Sequence, residues 1–450
     1  MVHQHGEEHD IPDHHKVHRP GAWMPADHRL HHDWLDKQIK HVEGHGDKKP
    51  KLIPVLQEFK DLIEGDPRIY MYFSQMWEEV PHKHPYDKDP TGKKQIRDYE
   101  HMLDMLNHVF TKAPEWTDAA FGVGMVGVPM VGIFDYAMAT PSGHAAFLDP
   151  EVNKMLKKVL NEWGKYLQTP DSAKVLNDKK GWFGKHARTD LMQVANGPLK
   201  TSHTFEEMYI CDPSKEYMGY KSWDGKLTKT FSRGSCARAC ARGLARRRQC
   251  RGQRVRVQGV QCGARGEAAG PVLDQGPTLL VGDMLAHDPL SEQFDQCTVY
   301  QAFLSALSYH RWHSPVSGTI KRCFVQDGTY FSEPILETDG QTYEIDNRGI
   351  SMAQGYLTAL ATRAVIFIEA DNPAIGLMAF IGIGMDEVST CDITVKEEQH
   401  IKKGDQTGMF HFGGSSHCLL FRKGVKVDDF PDVGREENVP VRSKVAVVKK

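Results

Sequence analysis

Apolar residues in the first half of the chain recur at the three- and four-residue intervals of a helix face. The first two series are Leu52, Leu56, Phe59 and Ile63, then Ile96, Tyr99, Leu103, Leu106 and Phe110. A further helix is predicted after Asp149, which can cap its first turn, because Pro150 suits the first helical position. Its apolar face carries Val152, Met155, Val159, Trp163 and Tyr166. The pattern predicts a helical region from Leu52 to about Leu167.

The pattern changes after Gly318, where short runs rich in β-branched and aromatic residues replace the helical spacing. Runs 319–325 and 365–369 each predict a strand. A third run, 375–385, follows the turn signal Asp371-Asn372-Pro373 and predicts a strand joined to the second by a tight connection. Helices first and strands later predict an α+β fold, with a helical N-terminal domain before a β-rich core.

The longest apolar stretch, Ala119 to Phe134, is interrupted by glycines and a proline. It is shorter than the roughly 20 residues that a membrane-spanning helix needs, so a buried hairpin or helix pair is the better interpretation. The first 50 residues carry neither an apolar signal core nor an Arg-rich transit pattern, which predicts a cytoplasmic protein. We expect this His-rich tail to be disordered at its start. Its histidines could bind a metal, but a tract without periodicity is more often solvated.

Composition narrows the class of protein. With 450 residues, 40% of them hydrophobic, and a formal net charge of -3, the chain can fold as two or three domains. The near-neutral charge gives no reason to expect nucleic acid as a partner. Nine cysteines include no Cys-x-x-Cys zinc pattern, so we expect a reducing compartment and no structural metal.

A turn of two glycines and two serines ends an apolar run near the C-terminus. Its residues are Gly413, Gly414, Ser415 and Ser416. Taken alone, this turn is most simply a hairpin loop in which serine caps the backbone. Upstream, however, His310 and His313 precede Pro315 at a spacing of three residues, and a base near a serine is the minimum requirement for activating its hydroxyl.

Together, the His-x-x-His-x-Pro element, the Gly-Gly-Ser-Ser turn and the short segment after it resemble the phosphatidylserine decarboxylase family. The likeness covers most of residues 20–232 and 283–445, and the helical half is similar to a fungal branch that includes soluble tryptophan decarboxylases. In that family the serine attacks the carbonyl of the preceding glycine and the chain then breaks. The resemblance implies cleavage between Gly414 and Ser415, which leaves a covalent pyruvoyl group derived from Ser415. It implies neither pyridoxal phosphate nor a metal.

The same resemblance assigns roles to the motif residues. Gly413 and Ser416 belong to the cleavage turn, where small residues leave room for a hydroxyl to approach a backbone carbonyl. His313 would be the base that deprotonates Ser415, and His310 would act as acid or base on the substrate. The rival interpretation of His310 is packing beside Tyr309. We expect the large and small chains to stay associated after cleavage, and self-association of the processed enzyme is left open.

Two substrates follow from the resemblance, a free aromatic amino acid or the serine headgroup of a phospholipid. The sequence has no spanning helix and no clean basic amphipathic helix, which favours an L-tryptophan-like amino acid over phosphatidylserine. A third alternative is an inactive homologue, because residues 234–271 contain nine arginines and four cysteines without a lysine or an aromatic residue. An arginine-rich arm for RNA is the weaker interpretation of this stretch.

We predict that residues 234–282 are translated out of frame. Codons can be chosen for residues 252–263 that give the peptide ANACESRAYNV when they are read one base later. The same one-base offset turns residues 272–281 into FWIKGQPYSL. Both peptides resemble sequences of this family. The shifted peptide contains the Glu that resembles the acid partner of His313. The predicted organisation is therefore a tail at 1–50, a helical domain at 51–200, a connection at 201–233, this Arg-rich segment at 234–282, and a β-rich catalytic core at 283–450. Arginines in place of apolar strand residues would be tolerated only if the segment were expelled as a loop.

Overall fold

The computed structural model describes most of the chain. The described residues are 28–44, 46, 49–80, 96–117, 126–138, 140–197, 200–232, 256–261, 281–304, 309–332, 349–411, 415–431, 439, 441 and 443–449. The histidines of the N-terminal tail as far as residue 27, and most of the Arg-rich segment, lie outside them, as do Gly413 and Gly414.

Helices fill the first half of the described chain. They are α1 (His28–Glu43), α2 (Pro54–Gly65), α3 (Pro67–Glu79), α4 (Tyr99–Val109), α5 (Pro129–Met138), α6 (Pro141–Leu148), α7 (Pro150–Leu167), α8 (Lys185–Asn196), α9 (Phe205–Met208) and α10 (Trp223–Leu227), with α11 (Val281–Met284) and α12 (Gly349–Leu360) in the second half. No helix in these described ranges is long and apolar enough to cross a bilayer. Of the apolar stretch predicted to be a hairpin or helix pair, 129–134 lie in α5, and 119–125 lie outside the described residues.

Helix α7 begins and packs as its sequence predicts. The Asp149 side chain accepts hydrogen bonds from the backbone N–H groups of Glu151 and Val152, which would otherwise lack partners at a helix start. Pro150 occupies the first turn. The apolar face, including Val152 and Trp163, is buried in the core of the helical half.

Aromatic side chains join the helical half to the β-rich half. Phe59 and Phe73 are fully buried and meet edge to face, with ring centroids 5.5 Å apart. Phe134 of α5 contacts Phe331, which follows the fourth strand of the β-rich half, at 4.8 Å between centroids. Both halves therefore contribute to one continuous apolar cluster.

The second half is built from strands. They are β1 (Arg256–Gln261), β2 (Thr298–Leu304), β3 (Arg311–His313), β4 (Gly318–Gln326), β5 (Arg363–Ala370), β6 (Leu377–Gly384), β7 (Thr390–Ile393), β8 (His400–Ile401), β9 (Gln406–His411), β10 (Ser415–Phe421), β11 (Val427–Asp428) and β12 (Val447–Val448). Seven form one sheet in the order β1-β2-β10-β6-β5-β4-β8, and a smaller sheet has the order β3-β9-β7. The remaining pair is β11 and β12. The α+β prediction is confirmed.

Strands β4, β5 and β6 lie where the sequence predicts strands, and β5 pairs antiparallel with β6 across the predicted connection. Every residue of β6 is buried because both faces of the sheet are covered. Ile366 and Phe380 belong to the apolar cluster on the side of the three-stranded sheet, and Val365 and Ile381 to the cluster that includes Leu357 of α12. Such two-sided burial explains the continuous apolar runs in these strands.

The prediction that the whole Arg-rich segment is expelled as a loop is wrong for residues 256–261. They form β1, which pairs antiparallel with β2 so that Val257 lies opposite Ala302 and Val260 opposite Val299. Within the described chain, β1 is the outermost strand on its side of the sheet. An outermost strand needs a partner on one side alone, and β-branched residues such as these valines suit the pleated backbone.

Candidate active site

Ser415 is the first residue of β10, the third strand of the seven-stranded sheet. It lies opposite Leu304 of β2 and Gly384 of β6. The residue is fully buried, and its hydroxyl has no hydrogen-bond partner in the described structure. The hydroxyl of the adjacent Ser416 is likewise buried without a partner there. Because an unpaired buried hydroxyl costs roughly 1–3 kcal/mol, two in succession mark a site with a purpose other than stability.

Alternation along β10 points the Ser415 side chain toward the three-stranded sheet. Leu419 belongs to the apolar cluster that also contains Trp312 and Phe410 of that smaller sheet. Cys418 and Leu420 belong to the cluster on the opposite face. Since side chains two residues apart share a face of a strand, Ser415 lies on the same face as Leu419.

His310 directly precedes β3 and His313 is the last residue of β3, and the two histidines are held differently. His310 is buried, and its carbonyl accepts a hydrogen bond of 3.0 Å from the backbone N–H of Phe410. His313 lies opposite Gln406, at the start of β9. Because β9 runs from Gln406 toward the turn before Ser415, the pairing places His310 beside the end of β9 nearest that turn and His313 beside its far end.

The His313 ring has a partner on each nitrogen. Nδ1 lies 2.9 Å from the carbonyl oxygen of Gly404, and Nε2 lies 3.0 Å from the hydroxyl oxygen of Tyr309. A carbonyl can only accept, so Nδ1 carries a proton, and in a neutral ring Nε2 then accepts from the tyrosine hydroxyl. The two rings also stack, with centroids 5.6 Å apart and planes 11° apart. Tyr309 thus packs against His313.

Sequence reasoning missed a histidine just before the cleavage turn. His411 ends β9, and its Nδ1 lies 3.0 and 3.2 Å from the two carboxylate oxygens of Asp224 in α10. Its Nε2 lies 3.6 Å from Asp392 of β7. Burial disfavours the charged ring, but hydrogen bonding and attraction from the two carboxylates outweigh it and raise the pKa of His411. The pair Asp224 and His411 fixes the end of β9 against the helical half.

A second missed residue is Glu387, in the turn that follows β6. Its side chain is fully buried and accepts hydrogen bonds from the backbone N–H groups of Met130 at 2.8 Å and Val131 at 3.3 Å. These are N–H groups of the first turn of α5, where a carboxylate also favours the helix dipole. Burial nevertheless dominates and raises the pKa of Glu387 to about 8. This turn begins two residues after Gly384, the strand partner of Ser415.

Comparison with known proteins identifies the family. Sequence profiles described as phosphatidylserine decarboxylase match residues 53–191 and residues 265–446. An L-tryptophan decarboxylase of Psilocybe cubensis is 32% identical over 397 residues, covering 84% of this chain and 82% of that protein. The chain belongs to the phosphatidylserine decarboxylase family.

Other members of the phosphatidylserine decarboxylase family match at similar levels. An L-tryptophan decarboxylase of Psilocybe cyanescens is 32% identical over 427 residues, which is 90% of this chain and 89% of that protein. The decarboxylase iboD of Amanita muscaria is 37% identical over 338 residues, 72% of this chain and 92% of that protein. The chain is therefore a decarboxylase, a carbon-carbon lyase, of this family.

The phosphatidylserine decarboxylase family implies a pyruvoyl cofactor, and the residues around Ser415 fit one. The serine that would become the group is buried, its hydroxyl has no described partner, and it begins a strand whose other residues can remain in place. Among the described residues no cluster of three or more His, Cys, Asp or Glu is arranged to hold a metal ion.

The connection before the Arg-rich segment contacts two strands of the three-stranded sheet directly. Arg311 of β3 donates from Nε to the backbone carbonyl of Thr228 at 2.7 Å and from a terminal nitrogen to Gln406 at 2.9 Å. Asp224 of α10 contacts His411 of β9, and Thr228, the residue after α10, contacts Arg311 of β3. The helical half therefore reaches both strands that lead toward Ser415.

Proposed function

We propose that the protein decarboxylates L-tryptophan or a related aromatic amino acid to its amine. The supporting observation is the extent of the similarity. The two tryptophan decarboxylases match 84% and 90% of the chain. In contrast, a phosphatidylserine decarboxylase proenzyme of Schizosaccharomyces pombe is 26% identical over 34% of this chain. Aromatic rings on the Ser415 face, including Trp312 and Phe410, agree with an aromatic substrate.

Processing would convert Ser415 into the catalytic group. Its hydroxyl oxygen would attack the carbonyl carbon of Gly414 while a base removes the hydroxyl proton, and the peptide C–N bond would break to leave an ester. Elimination and hydrolysis would then yield the pyruvoyl group and release ammonia. A pyruvoyl group, when present, supplies a sink for the electrons released as carbon dioxide leaves.

His313 is our proposed base for processing, and His310 our proposed acid or base toward the substrate. The hydrogen bond from Tyr309 occupies Nε2 of His313, so this assignment requires that bond to break before the nitrogen can take a proton. The backbone pairing supports the exchange of roles as the alternative, because it brings His310 nearer to the turn. In either case the second histidine returns a proton to the substrate carbon.

We also propose that the Arg-rich segment is out of frame and that the chain as given processes poorly. The shifted reading puts its Glu across residues 256 and 257, within β1 and opposite the strand that pairs with β10. The altered sequence therefore falls in the catalytic sheet. Expression of the chain as given and of a frame-restored chain should give an uncut and a cut protein, respectively. Equal cleavage of both, or a transcript that reads through these arginines, would contradict this proposal.

The substrate is tested by incubating the processed protein with L-tryptophan and, separately, with vesicles of phosphatidylserine. We expect tryptamine from the first and no phosphatidylethanolamine from the second. A Ser415→Ala protein serves as the control for uncatalysed loss of carbon dioxide. Formation of phosphatidylethanolamine without tryptamine would replace this proposal with phosphatidylserine decarboxylation. If neither amine formed, the result would favour an inactive homologue.

A further inference from the structure

His417 is an unusual residue within β10. Every other residue of this strand is buried, whereas His417 is half-buried in the interior of a seven-stranded sheet. It lies two residues after Ser415 and so projects from the same face. A polar, partly accessible side chain at this place faces the region into which Ser415 also points.

The strand neighbours of His417 are small. In the strand pairing it lies between Ala302 of β2 and Gly382 of β6, whose side chains rise little or not at all above the sheet. The rings of Tyr300 and Phe380 lie next to it, with centroids 6.0 and 5.9 Å away, and the Phe380 plane is nearly parallel to the imidazole. The imidazole is therefore bordered by two aromatic rings and by two small residues.

Aromatic rings of the three-stranded sheet cover Gly382. A Cβ atom added to Gly382 would lie 3.0 Å from the ring of Trp312 and 3.2 Å from the ring of Phe410, so these rings fill the position above the glycine. The exposed part of the imidazole therefore lies on a side of the ring away from Gly382.

The imidazole nitrogens of His417 have no hydrogen-bond partner among the residues that the structure describes. Burial lowers the pKa of His417 to about 4, so the ring is neutral at physiological pH and has one donor and one acceptor nitrogen. A polar atom in apolar surroundings is stabilised when a ligand supplies the missing hydrogen bond.

We propose that His417 is a specificity-determining residue whose acceptor nitrogen binds the indole N–H of an aromatic substrate held at residue 415. This inference rests on the proposed function. Residues two apart on a strand are about 6.7 Å apart, which is comparable to the length of a tryptophan side chain. The indole ring would lie beside Tyr300 and Phe380, and the imidazole would distinguish indole from an aromatic ring that lacks an N–H group.

The test compares ligands that differ only in that N–H group. Calorimetry would measure the binding of tryptamine and of 1-methyltryptamine to three purified proteins. These are the parent protein, His417→Leu and His417→Gln. We expect His417→Leu to weaken tryptamine binding about tenfold and to abolish the preference for tryptamine over its methylated form. His417→Gln keeps an acceptor and should restore part of that preference.

Controls separate recognition from folding and from the reaction itself. Thermal unfolding and cleavage before residue 415 should be unchanged in His417→Leu, and kcat/KM for tryptophan should fall while that for 1-methyltryptophan does not. Equal loss for both ligands, or no loss, would overturn the role of His417 even if tryptophan is a substrate. Failure of the parent protein to decarboxylate tryptophan while it acts on phosphatidylserine would instead overturn the proposed function and this inference with it.

Discussion

The buried hydroxyl groups of the helical half differ from the two that begin β10 in the β-rich half. In the helical half, Thr140 donates to the carbonyl of Ala137 at 2.8 Å, and Ser172 donates to the carbonyls of Leu167 and Thr169. Ser172 also accepts from the backbone N–H of Trp223. These hydroxyls close turns and helix ends. The adjacent buried hydroxyls that begin β10 have no partner in the described chain.

The difference indicates what each half contributes. A paired buried hydroxyl stabilises the fold, whereas an unpaired one lowers stability and is retained only where another requirement outweighs the cost. The helical half thus supplies rigid support, and the start of β10 carries the hydroxyl that we propose to be reactive. Asp224, Glu387 and Arg311 join the two, since each takes part in a hydrogen bond across the boundary between the halves.

The strongest test of this comparison replaces one hydroxyl of each kind in a chain that self-cleaves, restored in frame if necessary. Ser415→Ala should abolish cleavage completely and leave the free energy of unfolding nearly unchanged, because no described hydrogen bond is lost. Ser172→Ala should cleave normally but lower the free energy of unfolding by about 1–2 kcal/mol. Denaturing gels and urea unfolding give the two readouts, and Ser416→Ala is the matched control for position. Cleavage of the Ser415→Ala protein between residues 414 and 415 would disprove the role of this serine.

The two histidines test whether the reactive groups are divided between steps. His313→Ala should slow self-cleavage by at least about 100-fold, the usual effect of losing a positioned base. His310→Ala should cleave but turn over substrate poorly. Gel densitometry over time and an amine assay on the processed protein measure the two effects separately. A reversed result would favour the exchanged roles, and normal behaviour of both proteins would make the histidines structural.

A smaller effect is expected at the contact between the halves formed by Asp224 and His411. Asp224→Asn should lower the free energy of unfolding by about 1–2 kcal/mol at pH 6. The raised pKa of His411 means that the ion pair contributes fully below its ordinary range and is lost as pH rises through the folded-state value. Urea unfolding at pH 6 and pH 9 should therefore show the difference shrinking at the higher pH. Asp392→Asn, which removes the more distant and more exposed carboxylate, should have less effect, and equal losses would contradict this account.

The smallest effect near neutral pH is expected at Glu387. With a folded-state pKa of about 8, this carboxyl holds its proton at pH 7, so the uncharged Glu387→Gln resembles the native side chain. The folded chain binds more protons than the unfolded chain between the ordinary glutamate range and pH 8, so native stability falls as pH rises there. Stability of Glu387→Gln should fall less across pH 5 to 8. Parallel curves for the two proteins would show that Glu387 is ionised throughout.

The elements that the sequence predicted are those fixed by neighbours along the chain. Asp149 and Pro150 define the start of α7 within one turn, and the β-branched runs define β4 and β5 without reference to the rest of the fold. The turn signal between β5 and β6 also acts locally. Such signals give the fold class, whereas the sequence placed Ser415 in a turn and the structure shows it as the first residue of β10.

The parts that the sequence did not predict depend on residues far apart in the chain. Asp224 and His411 are separated by 187 positions, and Met130 and Glu387 by 257. Nothing in either local sequence distinguishes these acids from solvated surface residues. His417 was missed for another reason. It lies in an apolar strand, and only the strand pairing shows that its neighbours on both sides, Ala302 and Gly382, are small.

The position of β10 has a consequence for the cut protein. Ser415 opens a strand that pairs along its length with β2 on one side and β6 on the other. If the bond before it breaks, the 36 residues from Ser415 to Lys450 become a separate chain whose first strand lies inside a sheet formed by the other. Releasing that fragment would expose two sheet edges and split the apolar clusters on both faces. We therefore expect the cut protein to behave under dilution as a single molecule, with an activity per active site that does not depend on concentration.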